Sequence, residues 1–184
     1  MRIIAGAWRG RPLMTPKGDT TRPTADRTRE ALFSMLVSRL GSFEGLRVAD
    51  LFSGSGALGL EALSRGAAHC TFVEQDKAAL DCLRANIAKL EATADVRAQS
   101  ATALGHATGH FDLILMDPPY GTGAGSVALD KLNRLGWIAP STLISIETSK
   151  KETVDVQGFD TDVVRDYGKA RITLLRAAST TPAG

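Results

Sequence analysis

A glycine-rich turn is the first feature of the sequence with chemical potential. Gly54, Gly56 and Gly59 have the spacing G-x-G-x-x-G, and they lie between the mostly apolar residues 48–52 and a helical pattern. Glycine allows a tight turn and lets a ligand approach the backbone without meeting a Cβ atom. The free N–H groups of the following helix point to the same place. The spacing therefore predicts a cradle for a nucleotide-like cofactor.

Two acidic residues near this turn indicate which cofactor it holds. Glu74 lies twenty residues after Gly54 at a predicted strand end, where a carboxylate can accept hydrogen bonds from ribose hydroxyls. Nicotinamide enzymes share that pattern, so an NAD-linked oxidoreductase is one alternative. Asp50, directly ahead of the glycines, would repel a pyrophosphate but suits the ammonium and sulfonium groups of S-adenosylmethionine. The residues favour S-adenosylmethionine.

The run Asp117-Pro118-Pro119-Tyr120 is the second chemical feature, directly after the apolar residues 111–116. Two consecutive prolines stiffen the turn and remove its N–H donors, which leaves carbonyl groups free to accept. Asp117 and the Pro118 carbonyl can accept from one –NH2 group, while the Tyr120 ring stacks on a planar base. Such acceptors take up the positive charge that grows on nitrogen during methylation. The turn therefore predicts catalysis at an exocyclic or amide amine.

The elements that position these residues follow an alternating pattern. We predict strands at 47–52, 69–74, 96–99, 111–116 and 142–146, and helices at 58–65, from the cap Asp76 to about residue 90, and at 126–135. A hairpin at 159–166 and 169–176 completes a seven-stranded, doubly wound, mainly parallel α/β sheet with one antiparallel edge strand. Ahead of it we predict a small hairpin at 2–13 and a helix at 24–40 capped by Thr24.

The N-terminal part of the chain is basic. Residues 1–40 carry eight Arg and Lys against three acidic residues, whereas the whole chain has a net charge of +2. An arginine-rich front on an acidic body suggests a polyanionic partner, with an ordinary solvated surface as the alternative. We therefore expect residues 1–45 to form an RNA-contacting extension, residues 46–178 to form the catalytic domain, and 179–184 to form a flexible tail.

Composition limits the remaining possibilities. A hydrophobic fraction of 43%, with no apolar run near the roughly 20 residues of a membrane span and no signal-peptide core, indicates a cytoplasmic protein. Cys70 and Cys82 belong to no Cys or His cluster. We expect both to be small core residues, and we expect no metal site.

The motifs together resemble a known family. The cradle, Phe72-Val73-Glu74 and Asp117-Pro118-Pro119-Tyr120 are similar to those of class I S-adenosylmethionine-dependent amino methyltransferases. The N-terminal motifs and the C-terminal Tyr167-Gly168-x-x-x-Ile172-Thr173 resemble the bacterial small-subunit (16S) ribosomal RNA guanine-N2 methyltransferases of the RsmD type. Those N-terminal motifs are Arg2-Ile3-Ile4-Ala5-Gly6-x-Trp8-Arg9-Gly10-Arg11 and Arg22-Pro23-Thr24-x-Asp26-Arg27-x-Arg29-Glu30-Ala31-Leu32-Phe33-Ser34.

The resemblance implies a Rossmann-like class I fold and methyl transfer from S-adenosylmethionine, with S-adenosylhomocysteine as product, to N2 of one guanine. It implies 16S ribosomal RNA within a small-subunit assembly particle as partner, and a monomer without metal or membrane contact. The implied catalytic residues are Asp117, Pro118 and Tyr120. The cofactor-binding residues are Asp50, Phe52, Ser53, Gly54, Gly56, Glu74, Gln75, Ser100, Ala101 and Asp117. The RNA-contacting residues are Arg9, Arg11, Arg22, Thr24, Arg27 and Arg29.

Three alternatives remain open from the residues. The Asp-Pro-Pro-Tyr turn also serves methylation of adenine N6 or of a protein glutamine amide. A protein that binds S-adenosylmethionine without activity is a second class, although the complete turn argues against it. The NAD-linked oxidoreductase is the third, and Asp50 disfavours it.

Overall fold

A seven-stranded sheet forms the centre of the protein in the computed structural model, which describes residues 1–18 and 23–179. The strand order is β3-β2-β1-β4-β5-β7-β6. The strands are β1 (Arg47–Leu51), β2 (His69–Glu74), β3 (Asp95–Ala98), β4 (Phe111–Met116), β5 (Ile138–Ser149), β6 (Phe159–Tyr167) and β7 (Ala170–Ala177). The helices are α1 (Pro23–Leu40), α2 (Ala57–Ser64), α3 (Lys77–Leu90) and α4 (Ala124–Arg134). This arrangement confirms the predicted fold class.

The sheet buries both of its faces. Leu113, Leu115 and Leu143 pack on one side with α1, α2 and α3, while Ile114 and Ile144 pack on the other side with α4. This two-sided burial explains why β4 reads as an almost continuous apolar run. The strand order reverses between β1 and β4, and ligands of doubly wound sheets bind at the carboxyl ends of the strands near that reversal.

The C-terminal hairpin corrects one part of the prediction. The antiparallel strand β7 lies inside the sheet, between β5 and β6, so β6 forms the edge. Burial explains this order, because β7 places four consecutive residues, 172–175, in the core, whereas in β6 only Val163 is buried. A mostly exposed, charged strand is a suitable edge, since it discourages pairing with other chains.

The N-terminal segment folds back on itself as the predicted small hairpin, although its arms form one antiparallel bridge rather than two full strands. The bridge joins Arg2 and Pro12, backbone hydrogen bonds between the arms flank it, and other polar groups of the segment pair with helices. Glu61 of α2 accepts from the N–H groups of Ile4 and Ala5 at 2.8 and 3.0 Å, and Asn86 of α3 accepts from Met14 at 2.8 Å. We call residues 1–15 the N-terminal strap.

Two further boundaries differ from the prediction. Helix α1 begins at Pro23, a residue well suited to the first helical position, so Thr24 lies in the first turn instead of capping it. Strand β5 has 12 residues and runs to Ser149, well past the predicted end at 146. The cap at Asp76 is confirmed, since its side chain accepts from the N–H of Ala79 at 2.9 Å.

No helix within the described ranges is long and apolar enough to cross a membrane.

Candidate active site

A cavity of about 690 Å³ opens at the carboxyl ends of β1, β2 and β4. Its volume is within the range of small-molecule sites. The predicted cofactor residues that line it are Asp50, Phe52, Ser53, Gly54, Glu74, Gln75, Ala101 and Asp117. We call it the cofactor cavity. Among the described residues, no group of three or more His, Cys, Asp or Glu side chains could hold a metal ion.

The three glycines of the turn have different roles. A Cβ atom on Gly54 would meet no atom within 4 Å, so this backbone is open to the cavity. A Cβ on Gly56 would lie 2.4 Å from a methyl carbon of Leu83, and one on Gly59 would lie 2.4 Å from the Phe72 ring. Gly54 therefore leaves room for a ligand, whereas Gly56 and Gly59 allow α2 to pack closely on its neighbours.

Two predicted cofactor residues lie outside the cavity lining. Gly56 is buried beneath the turn, where it precedes the first residue of α2 with a left-handed φ of 87°. The Ser100 hydroxyl pairs with Thr102 at 2.9 Å, and its neighbour Gln99 lines the cavity instead. Gly56 therefore shapes the turn, and the proposed cofactor contact of Ser100 rests on its backbone groups.

Asp50 is a buried carboxyl with one oxygen in use. Its Oδ2 accepts from the N–H of Gly59 at 2.9 Å, whereas Oδ1 has no hydrogen-bond partner among the described residues. Only 1% of the residue is exposed, and burial raises its pKa to about 8, with a smaller contribution from Glu74. A cation next to Oδ1 would offset the cost of ionising this group. The site therefore fits a cofactor that carries an ammonium group.

Glu74 organises the loop opposite Asp50. Its Oε1 accepts from Gly54 N–H at 2.9 Å, and its Oε2 accepts from the N–H groups of Gln75 and Asp76, each at 2.8 Å. A carboxylate has about four lone-pair positions, so it can still accept from a ribose hydroxyl. Ser53 adds a buried hydroxyl without a hydrogen-bond partner among the described residues. Both side chains line the cofactor cavity.

A second cavity of about 500 Å³ meets the first at Asp117, which lines both. We call it the acceptor cavity. Its walls come from α1, from the start of α2, from the ends of β4 and β5, and from the turn between β6 and β7. Residues from these elements include Thr28, Leu32, Met116, Tyr120, Ser145, Glu147, Tyr167 and Lys169. The predicted catalytic turn thus lies where a donor and an acceptor could meet.

Glu147 is a site residue that the sequence reasoning missed. The Tyr120 hydroxyl donates to Glu147 Oε2 at 3.0 Å. Burial and then the charge and hydrogen bond of Glu147 hold the pKa of Asp117 well above its usual range, and burial and the Glu147 charge also raise the pKa of Tyr120. The sequence does contain an indication of this residue, because Glu147 directly follows the mostly apolar run 142–146 just as Asp117 follows the run 111–116.

The predicted RNA-contacting residues separate into two groups. Arg9, Arg11 and Arg27 are exposed, and Arg11 donates to the carbonyl of Lys89 at 3.0 Å. Arg29 is only 5% exposed. It donates to the carbonyl of Arg2 and lies 3.9 Å from the buried Glu61 carboxylate. The N-terminal strap covers most of Arg29, and the residue also lines the acceptor cavity, so it is not among the exposed arginines available to RNA phosphates.

Arg22 and Thr24 are the other two predicted RNA-contacting residues. Arg22 lies outside the described residues. Thr24 lies in the first turn of α1, the helix that carries Arg27 on its exposed surface. The exposed basic residues of the described N-terminal part are therefore Arg9, Arg11 and Arg27, together with Arg2 and Lys17.

Comparison with known proteins identifies the class. The structure superposes on that of the Escherichia coli protein yhhF with a TM-score of 0.84 and 35% identity, over 98% of this chain and 99% of that one. A more distant neighbour, magnesium protoporphyrin IX methyltransferase of Synechocystis with bound S-adenosylmethionine, gives a TM-score of 0.66 at 16% identity over 88% of this chain and 87% of that one. That second likeness shows the fold alone. Fold and site define a methyltransferase of class I.

Within this class the family is also clear. The family model described as conserved hypothetical protein 95 matches residues 1–176. The ribosomal RNA small subunit methyltransferase D of Haemophilus influenzae is 38% identical over 82% of this chain and 79% of its own length. The enzyme of the same name in Escherichia coli is 40% identical over 80% of this chain and 74% of its own length. The chain belongs to this methyltransferase family.

Proposed function

We propose that the protein transfers a methyl group from S-adenosylmethionine to the exocyclic N2 amine of a guanine in small-subunit (16S) ribosomal RNA. The observation that carries the proposal is the meeting of two cavities at Asp117, one suited to the methyl donor and one to a base. The names of the relatives support ribosomal RNA of the small subunit as the substrate.

The cofactor cavity fits S-adenosylmethionine in charge and shape. Oδ1 of Asp50, which has no hydrogen-bond partner within residues 1–18 and 23–179, would bind the methionyl ammonium, and Glu74 would bind the ribose hydroxyls. The open backbone of Gly54 leaves room between them. When bound, this cofactor supplies an electrophilic methyl group.

The turn after β4 would orient the amine. Asp117 and the Pro118 carbonyl accept hydrogen bonds from its N–H groups, and this directs the nitrogen lone pair away from the turn and toward the methyl donor. The Pro119 carbonyl already accepts from the Thr122 hydroxyl at 2.9 Å, so Pro118 is the one we assign to the amine. Asp117 takes the proton that the nitrogen releases. Tyr120 is 46% exposed, which leaves its ring available for stacking on the base.

The acceptor cavity requires a base that has left its stack. A volume of about 500 Å³, lined by α1, by the ends of β4 and β5 and by the turn between β6 and β7, is within the range of sites for one small ligand, so a single unstacked base would enter it. The target guanine would lie in a loop or be extruded, within an assembling small-subunit particle. Arg9, Arg11 and Arg27 would hold the flanking phosphates, and this gives residues 1–45 their RNA-contacting role.

The test separates transfer from cofactor binding. Asp117→Asn keeps the size of the side chain but removes the carboxylate, so methyl transfer to ribosomal RNA should fall on the order of 10²- to 10³-fold. Binding of S-adenosylhomocysteine, measured by calorimetry, should change little. Asp130→Asn on α4, away from both cavities, is the matched control and should leave both properties unchanged.

Two results would count against the proposal. Equal loss of transfer and of cofactor binding in Asp117→Asn would contradict the assigned division of labour. Tighter binding of NAD than of S-adenosylhomocysteine to the unaltered protein would contradict the assignment of the cofactor cavity.

A further inference from the structure

We propose that Glu147 selects guanine, by accepting hydrogen bonds from the N1–H and the adjacent N2–H of the base in the acceptor cavity. The inference rests on the proposed function and deepens it, since it assigns the choice of base to one residue. Nothing in the turn Asp117–Tyr120 by itself distinguishes guanine from the other amines that such a turn can orient.

The sheet register places Glu147 beside Asp117. Met116 of β4 pairs with Ile146 of β5, so the next residues of the two parallel strands, Asp117 and Glu147, lie level with each other. Side chains alternate along a strand, and Leu115 and Leu143 point toward α1. Asp117 and Glu147 therefore point to that same face, where the acceptor cavity lies.

The cavity has a pair of carboxyl acceptors and a mixed wall. Glu147 and Asp117 present carboxyl groups next to each other. The rest of the lining combines apolar side chains with two basic ones: Leu32, Leu58, Met116, Arg29 and Lys169. The Tyr120 hydroxyl occupies one lone-pair position of Glu147, at 3.0 Å, and holds its carboxylate in place. A carboxylate has about four such positions, so Glu147 can accept two more hydrogen bonds. Burial and then the neighbouring Glu147 carboxyl raise the pKa of Asp117, and a ligand that donates several N–H hydrogen bonds would offset the cost of ionising the pair.

Guanine is the base that supplies those donors. Its N1–H and one N2–H are parallel and adjacent, so the Glu147 carboxylate can accept both. Asp117 lies beside Glu147 and shares that N2–H, while the other N2–H donates to the Pro118 carbonyl. In adenine, the ring nitrogen beside the exocyclic amine is an acceptor, and it would oppose the lone pairs of Glu147. A protein glutamine amide likewise has an acceptor oxygen beside its –NH2 group. Glu147 therefore favours guanine over both alternatives by repulsion as well as by attraction.

The experiment replaces the target guanine by 2-aminopurine, which keeps the N2 amine but has an acceptor at N1. The RNA is assembled by ligating a synthetic segment into small-subunit ribosomal RNA, and kcat/KM is measured for both bases. The unaltered protein should prefer guanine by roughly 10- to 100-fold, as expected for loss of a bidentate contact. Glu147→Gln can donate its amide N–H to the acceptor N1, so this preference should shrink or reverse.

Glu152→Gln is the matched control. Glu152 lies just after β5 and lines neither the cofactor cavity nor the acceptor cavity, so its substitution should leave the preference unchanged. Thermal unfolding and S-adenosylhomocysteine binding verify that each variant is folded. If Glu147→Gln does not fold, Tyr120→Phe serves as the second variant. It removes the hydroxyl that holds the Glu147 carboxylate in place, so it should reduce the preference for guanine over 2-aminopurine without abolishing methyl transfer.

The possible results separate the two proposals. Equal methylation of guanine and 2-aminopurine by the unaltered protein would overturn the role of Glu147. An equal drop for both bases in Glu147→Gln, with the ratio unchanged, would also overturn it and indicate a structural role. Absence of N2-methylguanosine from small-subunit RNA treated with the unaltered protein would overturn the proposed function itself.

Discussion

Asp50 offers a quantitative test of the cofactor cavity, through the substitution Asp50→Asn. Asparagine has nearly the same shape, and its carbonyl oxygen can take the place of Oδ2 as acceptor for Gly59 N–H. The substitution removes the charge from a residue that is 1% exposed and whose second oxygen has no hydrogen-bond partner among the described residues. We expect the variant to be more stable without ligand and to bind the cofactor more weakly.

The magnitude follows from the pKa of Asp50, which burial raises from 3.8 to about 8. Between these values the folded protein keeps a proton that the unfolded chain has released. The free energy of unfolding of the unaltered protein therefore falls as pH rises through this window, by up to about 1.4 kcal/mol per pH unit. Asparagine does not ionise, so Asp50→Asn lacks this loss of stability with rising pH. The stability advantage of Asp50→Asn should grow from about pH 4 to about pH 8 and then remain constant.

Urea unfolding at several pH values measures this difference directly. At about pH 4 the two proteins should be nearly equal in stability, and above about pH 8 the variant should be more stable by a few kcal/mol. Calorimetry at neutral pH should show weaker S-adenosylhomocysteine binding by Asp50→Asn. In the unaltered protein, binding should release a proton from Asp50, seen as a dependence of the heat on buffer ionisation. A stability difference that is constant with pH, together with unchanged binding, would refute the reasoning.

Three further predictions concern the acceptor side and the N-terminal part. The acid limb of kcat/KM against pH should lie well above the usual carboxyl range, because Asp117 must be ionised to accept a hydrogen bond from the amine. Glu147→Gln should move this limb to lower pH. An unmoved limb would contradict the coupling of Asp117 and Glu147. Arg27→Ala should weaken ribosomal RNA binding and reduce the slope of log K against log salt concentration by about 0.7 to 0.9, whereas Arg134→Ala on α4 should change neither. Equal effects of the two substitutions would mean that the basic N-terminal surface has no special role in RNA binding. Arg29→Ala should cost about 1–3 kcal/mol in urea unfolding, because it removes the donor to the Arg2 carbonyl and one of two guanidinium groups near the buried Glu61, which keeps its ion pair with Arg65 at 3.0 Å. A stable variant with weaker RNA binding would restore Arg29 to the RNA surface.

Local features of the fold could be predicted from the sequence. Strands β2 and β4 have the predicted bounds, because apolar runs bounded by polar residues are strong strand signals. The cap at Asp76 and the class of the sheet were also correctly predicted. These features depend on residues close in sequence or on the overall alternation of strands and helices.

Features that depend on long-range pairing could not be predicted in the same way. The position of β7 inside the sheet results from competition between two hairpin strands for a place beside β5, and only their burial decides it. Arg29 looked like a surface arginine because its partner Glu61 is thirty-two residues away in the chain. The charge pattern of a short stretch of sequence does not show which arginines form ion pairs with distant residues.

Glu147 shows the same limit within the site. The prediction ended β5 at residue 146, so Glu147 was placed outside the strand rather than beside Asp117. Only the register of β4 on β5 brings the two carboxyls level, and the register depends on packing across the whole sheet. The catalytic turn could be predicted from its four consecutive residues, whereas the group that faces it from the neighbouring strand could not.

The central claim is tested most directly by identifying the methylated nucleoside. Small-subunit ribosomal RNA, free and in assembly particles, is incubated with the protein and methyl-labelled S-adenosylmethionine, digested to nucleosides and analysed by mass spectrometry. The account predicts label in N2-methylguanosine at one position of the RNA, and none when Asp117→Asn replaces the unaltered protein. Label in N6-methyladenosine, or only in protein glutamine, would contradict it.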